Sequence, residues 1–427
     1  MKKPLRLPSL LALGVNGIVG VGIFFAPREV AAVMPGWRGV WVYAAVTLLL
    51  LPTGIVFARL GRAFAEDGGP YLYARAAFGP RVAFAVGWIT YVSALFSTAA
   101  VLVGLVDSSA QSLGQMAVAP RLFVELVLLT GLMGALSRGL RLSAIVWSIV
   151  TVLKSLPLIA LPCAALLAAH TLPGSAASPP PLEAPGRRLL AAALPVVFAL
   201  QGFEVVPLPA AQVEDPKKNV AIATLGSLLF AGALYMALHA SCLLALPDLG
   251  DHALPLAETA RVYGGASFER LITGATSVSA LGVVIGMLAM TPRYLAPLGQ
   301  DDALGLRLGE QSASSVPTRA FAVTYTILFI MLCANAFGGS IAELLALASL
   351  SVTLQYGVTA AALFALASRS DAGLSPGDRW PAPLVLLSCA LFLFGASALE
   401  IPIVLAMLCL GFVAKALAER RARRRAM

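Results

Sequence analysis

A single lysine stands in the middle of an otherwise apolar run. Lys154 lies in LSAIVWSIVTVLKSLPLIALPCAALL, 13 residues from Arg141 and 15 from Ala169. At a rise of 1.5 Å per residue it sits roughly 20 Å from either end of a helix, and a lysine stem of about 6 Å cannot carry its ammonium out to water. Placing a lysine at mid-membrane costs roughly 2.5–3.5 kcal/mol. The charge therefore needs fixed acceptors, either as a staple between helices or as a group that gates, couples or carries a proton.

Two other stretches point to acceptors of the right kind. GVNGIVGVGIFFAP at 14–27 crowds Gly14, Gly17, Gly20 and Gly22 ahead of Pro27, and LPVVFALQGFEVVPLP at 194–209 combines Pro195, Gly202, Pro207 and Pro209 with Gln201 and Glu204. Such clusters interrupt helical hydrogen bonding, and in lipid every freed backbone group needs a partner. They are tolerated where bare backbone lines a cavity. An interrupted helix presents N–H groups at one lip, which attract a carboxylate, and C=O groups at the other, which attract an ammonium. A site with both poles suits a small zwitterion. The competing reading of the glycines is close helix packing. Glu204, beside the second break, is either a proton-sensitive gate or a carboxyl that bonds exposed amides. His239 is an intramembrane histidine that either relays protons or bonds a neighbouring helix.

The elements that must position these groups follow from composition. The chain has 427 residues, 59% hydrophobic and only 12% charged, with a mean hydropathy of +0.87. A soluble domain carries about 25% charged residues, so the composition excludes an ordinary soluble enzyme, a disordered chain and a nucleic-acid binder. A membrane span needs roughly 20 mostly apolar residues. Twelve such segments are expected, at 9–34, 38–61, 82–106, 120–137, 141–169, 188–212, 219–246, 268–297, 317–336, 340–367, 381–397 and 399–418. The first is too long for a cleaved leader. With both ends in the cytoplasm, 22 basic residues fall inside and 7 outside, the distribution that the positive-inside rule favours. The net charge of +9 is then mostly topology, and the tail ERRARRR is expected to meet anionic lipid rather than nucleic acid. The five cysteines lack metal-ligand spacing and a disulfide framework, and no metal or other cofactor is expected.

The breaks fall in the first and sixth spans. Spans one to five cover 9–169 and spans six to ten 188–367, with two peripheral helices over 381–418. Five is odd, so the second block enters the membrane from the opposite side. An all-α membrane protein of this kind, a single transporter domain with a 5+5 inverted repeat, places its site at the midplane between the two broken helices.

Three strings carry a family resemblance. They are GIVGVGIF at 17–24, AEDGGPYLYARAAFGPRVAFAVGW at 65–88 and FALQGFEVVPLPAAQVEDPKKNVAIA at 198–223. With them the chain resembles bacterial amino acid permeases of the amino acid–polyamine–organocation superfamily. The resemblance implies that the amides of Gly20, Val21 and Gly22 hold a substrate carboxylate. It also implies that the carbonyls of Ile18, Phe198 and Gln201, next to Gly202, hold its ammonium, with Phe198 as an aromatic lid. Tyr91, Leu95, Thr98 and Met287 are implied as side-chain subsite residues. Lys154 resembles the helix-five lysine that replaces an ion in some sodium-independent members, with partners expected among carbonyls near Gly17 and at the hydroxyl of Ser279. The wall so formed is largely apolar, which favours neutral amino acids over polyamines or cationic ones.

Uptake, with or without proton coupling, and exchange of one amino acid for another or for an amine both remain open at this stage. A channel would need a continuous polar pore, and no spacing of His, Asp, Glu or Ser within the spans suggests an intramembrane enzyme. A sensor would usually add a signalling domain. The bilayer and an amino acid are the expected partners, in a bacterial inner membrane.

Overall fold

The computed structural model describes residues 6–20, 22–64, 69–113, 117–138, 144–168, 185–207, 213–300, 316–396 and 399–426, with Leu304, Leu308 and Glu310. Among these lie fourteen α-helices: α1 (Leu7–Ile18), α2 (Gly22–Val33), α3 (Trp37–Ala63), α4 (Gly69–Phe78), α5 (Pro80–Leu113), α6 (Val118–Ser137), α7 (Ala144–Ala168), α8 (Pro185–Leu200), α9 (Pro216–Ala245), α10 (Pro255–Gln300), α11 (Thr318–Ala336), α12 (Ile341–Ser368), α13 (Pro381–Phe394) and α14 (Glu400–Ala426). Eleven helices are each long and apolar enough to cross a membrane, and the bent pair α1–α2 makes twelve. The chain is an all-α, multi-pass membrane protein.

Proline punctuates these helices. Pro80, Pro185, Pro216, Pro255 and Pro381 each open one; the missing N–H is an orphan at that position anyway, and the fixed φ is already helical. Outward-facing side chains are apolar, among them Phe123, Leu166, Leu167 and Phe394, because lipid rather than water surrounds them. Several hydroxyls inside the spans bond the carbonyl one turn back, as Thr47 does to Tyr43, Thr224 to Val220 and Thr353 to Ser349, so these three add no unpaired donor.

Helix boundaries depart from the apolar pattern in three places. The expected span 268–297 is the longer part of α10, which kinks at Gly264 and at Gly265 (φ 68°). The polar turn ahead of the kink, Pro255–Tyr263, is helical as well, although its Glu258 and Arg261 read as loop. The expected link at 62–81 contains the separate helix α4, which Gly79 (φ 84°) ends before Pro80 opens α5. The sixth span stops at Leu200 rather than 212, and residues 208–212 lie outside the described residues.

The chain divides into two compact units. The first comprises Met1–Gly69, Ala144–Ser279 and Thr359–Ala396, and the second Pro70–Ser143, Ala280–Val358 and Ser397–Met427. In the first, α9 packs along α3 and α1, α2 packs on α8, and α13 covers α3. Small residues let the backbones approach; a Cβ on Gly232 of α9 would strike the side chain of Thr47 of α3, the packing device of membrane helices. In the second unit α5 is flanked by α6, α11 and α14. Trp88 of α5 donates its indole N–H to the carbonyl of Met407 (2.8 Å), and the ammonium of Lys415 sits 4.8 Å above the ring of Phe84.

Candidate functional site

The first break lies between α1 and α2, whose axes bend by 47°. Helix α1 ends at Ile18, and the N–H of Val19 makes its last helical bond, to Val15 (2.7 Å). The last carbonyls of a helix have no partner within it and carry its negative dipole end. Here they are taken by side chains of two other helices. The ammonium of Lys154, on α7 and 1% exposed, donates to the carbonyl of Asn16 (3.1 Å) and to that of Val19. The hydroxyl of Tyr235, on α9, donates to the carbonyl of Ile18 (3.0 Å). A cation at a helix C-terminus is the favourable arrangement, and these bonds answer the cost of burying Lys154.

The second break follows α8. Gln201 donates its N–H to the carbonyl of Phe198 (3.2 Å), and Gly202 takes a left-handed conformation with φ 116°. A 3-10 turn, Phe203–Val205, follows. Glu204 reaches back to accept the N–H of Gly202 at 2.8 Å, so of its two sequence readings the structure contains the bond to an exposed amide. Phe203 is buried, edge-on to Phe57 of α3 with ring centres 6.1 Å apart.

The two breaks touch. A Cβ on Gly17 would lie 2.8 Å from the carbonyl oxygen of Gly202, and one on Gly202 would strike the carbonyl of Gly17. At the start of α2, a Cβ on Gly22 would come within 2.7 Å of Cα of Ala199 and 3.1 Å of the ring of Phe198. The first N–H groups of α2 thus open beside Phe198 and the end of α8. Two buried side-chain atoms at these breaks have no hydrogen-bond partner among the described residues, the carbonyl oxygen of Asn16 and the amide nitrogen of Gln201. One accepts and the other donates.

Ile18, Gly17, Gly22, Phe198, Gln201, Gly202 and Glu204 are thus gathered at one pair of breaks, and Gly20 is buried next to them. Val21 lies outside the described residues. Ser279 is buried in the first unit, but its hydroxyl has no hydrogen-bond partner among the described residues. It makes no hydrogen bond to Lys154, whose ammonium donates to the carbonyls of Asn16 and Val19. Tyr91, Leu95, Thr98 and Met287 belong to the second unit. There the hydroxyl of Tyr91 is 3.1 Å from that of Thr324, and Thr98 bonds Ala94 (2.6 Å) and Thr291 (3.0 Å). Leu95 is buried and Met287 half-buried. Sequence reasoning missed Tyr235; its signal was a lone tyrosine deep in the apolar run of α9.

Asp107, Glu125, Glu343 and Glu214 have local partners. Asp107 and Glu125 flank Arg121 at 3.0 and 3.8 Å. Glu343 and Ser340 bond one another's backbone N–H groups at 3.2 Å, which caps α12. Glu214 pairs with Arg6 at 3.5 Å on an exposed surface.

The family model described as amino acid permease matches residues 5–409. The chain belongs to the amino acid permease family. This permease is 27% identical over 395 residues to an uncharacterized transporter, Rv1979c, of Mycobacterium tuberculosis, covering 85% of this chain and 80% of that one. It is 27% identical over 294 residues to the L-methionine/branched-chain amino acid exporter YjeH of Escherichia coli, covering 68% and 66%. It is 23% identical over 354 residues to the branched-chain amino acid permease BcaP of Lactococcus lactis, covering 77% and 74%. These relatives are named as transporters rather than enzymes.

Proposed function

We propose that this permease moves neutral amino acids across a bacterial inner membrane without sodium, by alternating access around the two breaks. The observation that carries the reading is the contact of Gly17 with Gly202, which sets the open N–H end of α2 beside the broken end of α8. A zwitterion fits such a pair of poles without a charged side chain. In this reading the amides of Gly20, Val21 and Gly22 receive the carboxylate. The carbonyls of Ile18, Phe198 and Gln201 receive the ammonium, and Phe198 closes over the ligand. The inverted repeat of 9–169 and 188–367 belongs to the same reading.

Two features support the finer points. The carboxylate of Glu204 is engaged with the N–H of Gly202, which leaves a cationic side chain without an evident acceptor and favours neutral substrates, as do the names of YjeH and BcaP. The ammonium of Lys154 holds the carbonyls that a dissolved cation would otherwise seek, which favours sodium independence. Both termini are assigned to the cytoplasm from the basic residues.

The test is a thermal-shift screen of the twenty amino acids and common amines on purified permease, followed by uptake of the stabilising ligand into proteoliposomes. Binding stabilises a fold by mass action. Uptake that persists when choline replaces sodium is the expected result, and uptake that vanishes removes the sodium-independent reading. Internal amino acid that accelerates uptake would identify exchange, the mode that the name of a partial relative suggests. That relative is the arginine/ornithine antiporter of Pseudomonas aeruginosa, 31% identical over 164 residues, 36% of this chain and 33% of that one.

A further inference from the structure

His239 takes no part in the site at the breaks. It lies in α9, on the face turned to α3, and is fully buried. A bond to a neighbouring helix would be the simple account of it, yet neither ring nitrogen has a hydrogen-bond partner among the described residues. Its ring instead lies 5.2 Å from that of Tyr43, tilted by 48°. The hydroxyl of Tyr43 is also fully buried and also without a partner among the described residues. Room for the imidazole exists because position 39 is glycine; a Cβ there would fall against Nε2 of His239.

Three buried polar atoms left unpaired in one contact destabilise the fold, and each needs an explanation. Two apolar side chains would fill the same space without that penalty. Imidazole is the side chain that gains and loses a proton in the physiological range, and a phenol hydroxyl both donates and accepts. We propose that His239 and Tyr43 form a proton-binding site within the first unit. The imidazole takes a proton delivered from bulk solvent as hydronium, and the hydroxyl of Tyr43 turns to accept the new N–H.

The surroundings leave this charge unopposed by a bonded carboxylate. The charged and titratable groups on the elements around it include Arg38, Tyr43, Arg59 and Arg62 on α3, Tyr235 and Cys242 on α9, Glu258 on α10 beside Cys242, Arg28 and Glu29 on α2, and Lys154 and Cys163 on α7. None is hydrogen-bonded to the imidazole. Tyr235 and Lys154 are engaged with α1 carbonyls, and Glu258 bonds His252.

The experiment is nitrogen NMR on the full chain in lipid nanodiscs, with 15N-labelled histidine. The chain has three histidines, so His239→Gln assigns the signal by its loss. If that variant does not fold, His170→Gln and His252→Gln assign it by elimination. The expected result is that the His239 ring carries one proton near about pH 8 and two at the acid end of a titration carried to about pH 4. Tyr43→Phe should move the midpoint of that change. A ring that keeps its neutral pattern over the whole range overturns the site, and an unmoved midpoint in Tyr43→Phe overturns the part given to the tyrosine. Neither readout depends on what the permease transports.

Discussion

The α-carbons of Gly17 and Gly202 face each other so closely that a methyl group on either would meet the other's carbonyl. Broken helices from distant parts of the chain thus meet backbone to backbone, and only glycine permits it on both sides. Position 202 carries a second demand, a φ of 116°.

Gly202→Ala is therefore expected to be the more damaging of the two substitutions. Strain in this backbone region is about 1–3 kcal/mol, and the collision adds to it. Uptake in proteoliposomes should fall by more than about tenfold, and the thermal midpoint by several degrees, at about 2–4 °C per kcal/mol. Wild-type uptake in Gly202→Ala would mean that the breaks do not need this contact.

Lys154→Met should leave the carbonyls of Asn16 and Val19 without their donor. Hydrogen bonds to charged groups contribute about 1.5–3 kcal/mol each, so the loss of two should drop transport by more than about 100-fold. Lys154→Arg should not restore it, because a planar fork cannot reproduce a compact ammonium in a space closed by α1. The comparison is initial uptake rate per reconstituted molecule, and recovery with arginine would contradict the geometry.

Tyr235→Phe removes one neutral hydrogen bond, from the hydroxyl to the carbonyl of Ile18. A net contribution of about 1 kcal/mol predicts a change of roughly fivefold in transport. Because the bond holds backbone at the substrate break, the change should appear in the half-saturating substrate concentration as well as in the maximal rate.

Arg121 stands between Asp107 and Glu125, and Glu125 is 1% exposed. Removing one partner of a buried ion pair costs about 3–5 kcal/mol, so Arg121→Gln should lower the thermal midpoint markedly. Glu125→Gln removes the excess negative charge and should leave the midpoint close to wild type. A larger loss from the glutamate substitution than from the arginine one would reverse the assignment.

Spans were legible because length and apolarity are local, and so were the interruptions at Gly17–Gly22 and Gln201–Gly202, which glycine and proline announce. Lys154 was legible because a lone charge cannot hide in an apolar run. Tyr235 was not, since its partner Ile18 is 217 residues away and nothing in its own neighbourhood marks the meeting. The helix at Pro255–Tyr263 escaped for the opposite reason. Its charged residues spoil an apolar window while leaving backbone hydrogen bonding intact. The bond expected from Lys154 to Ser279 is absent among the described residues, where the ammonium donates to the carbonyls of Asn16 and Val19.

Fastened at residues 16, 18 and 19 by side chains of α7 and α9, the tail of α1 cannot shift without parting all three attachments in one step. A carrier whose cycle includes that step should have a high activation enthalpy. Its turnover should slow far more steeply on chilling than flow through a rigid pore.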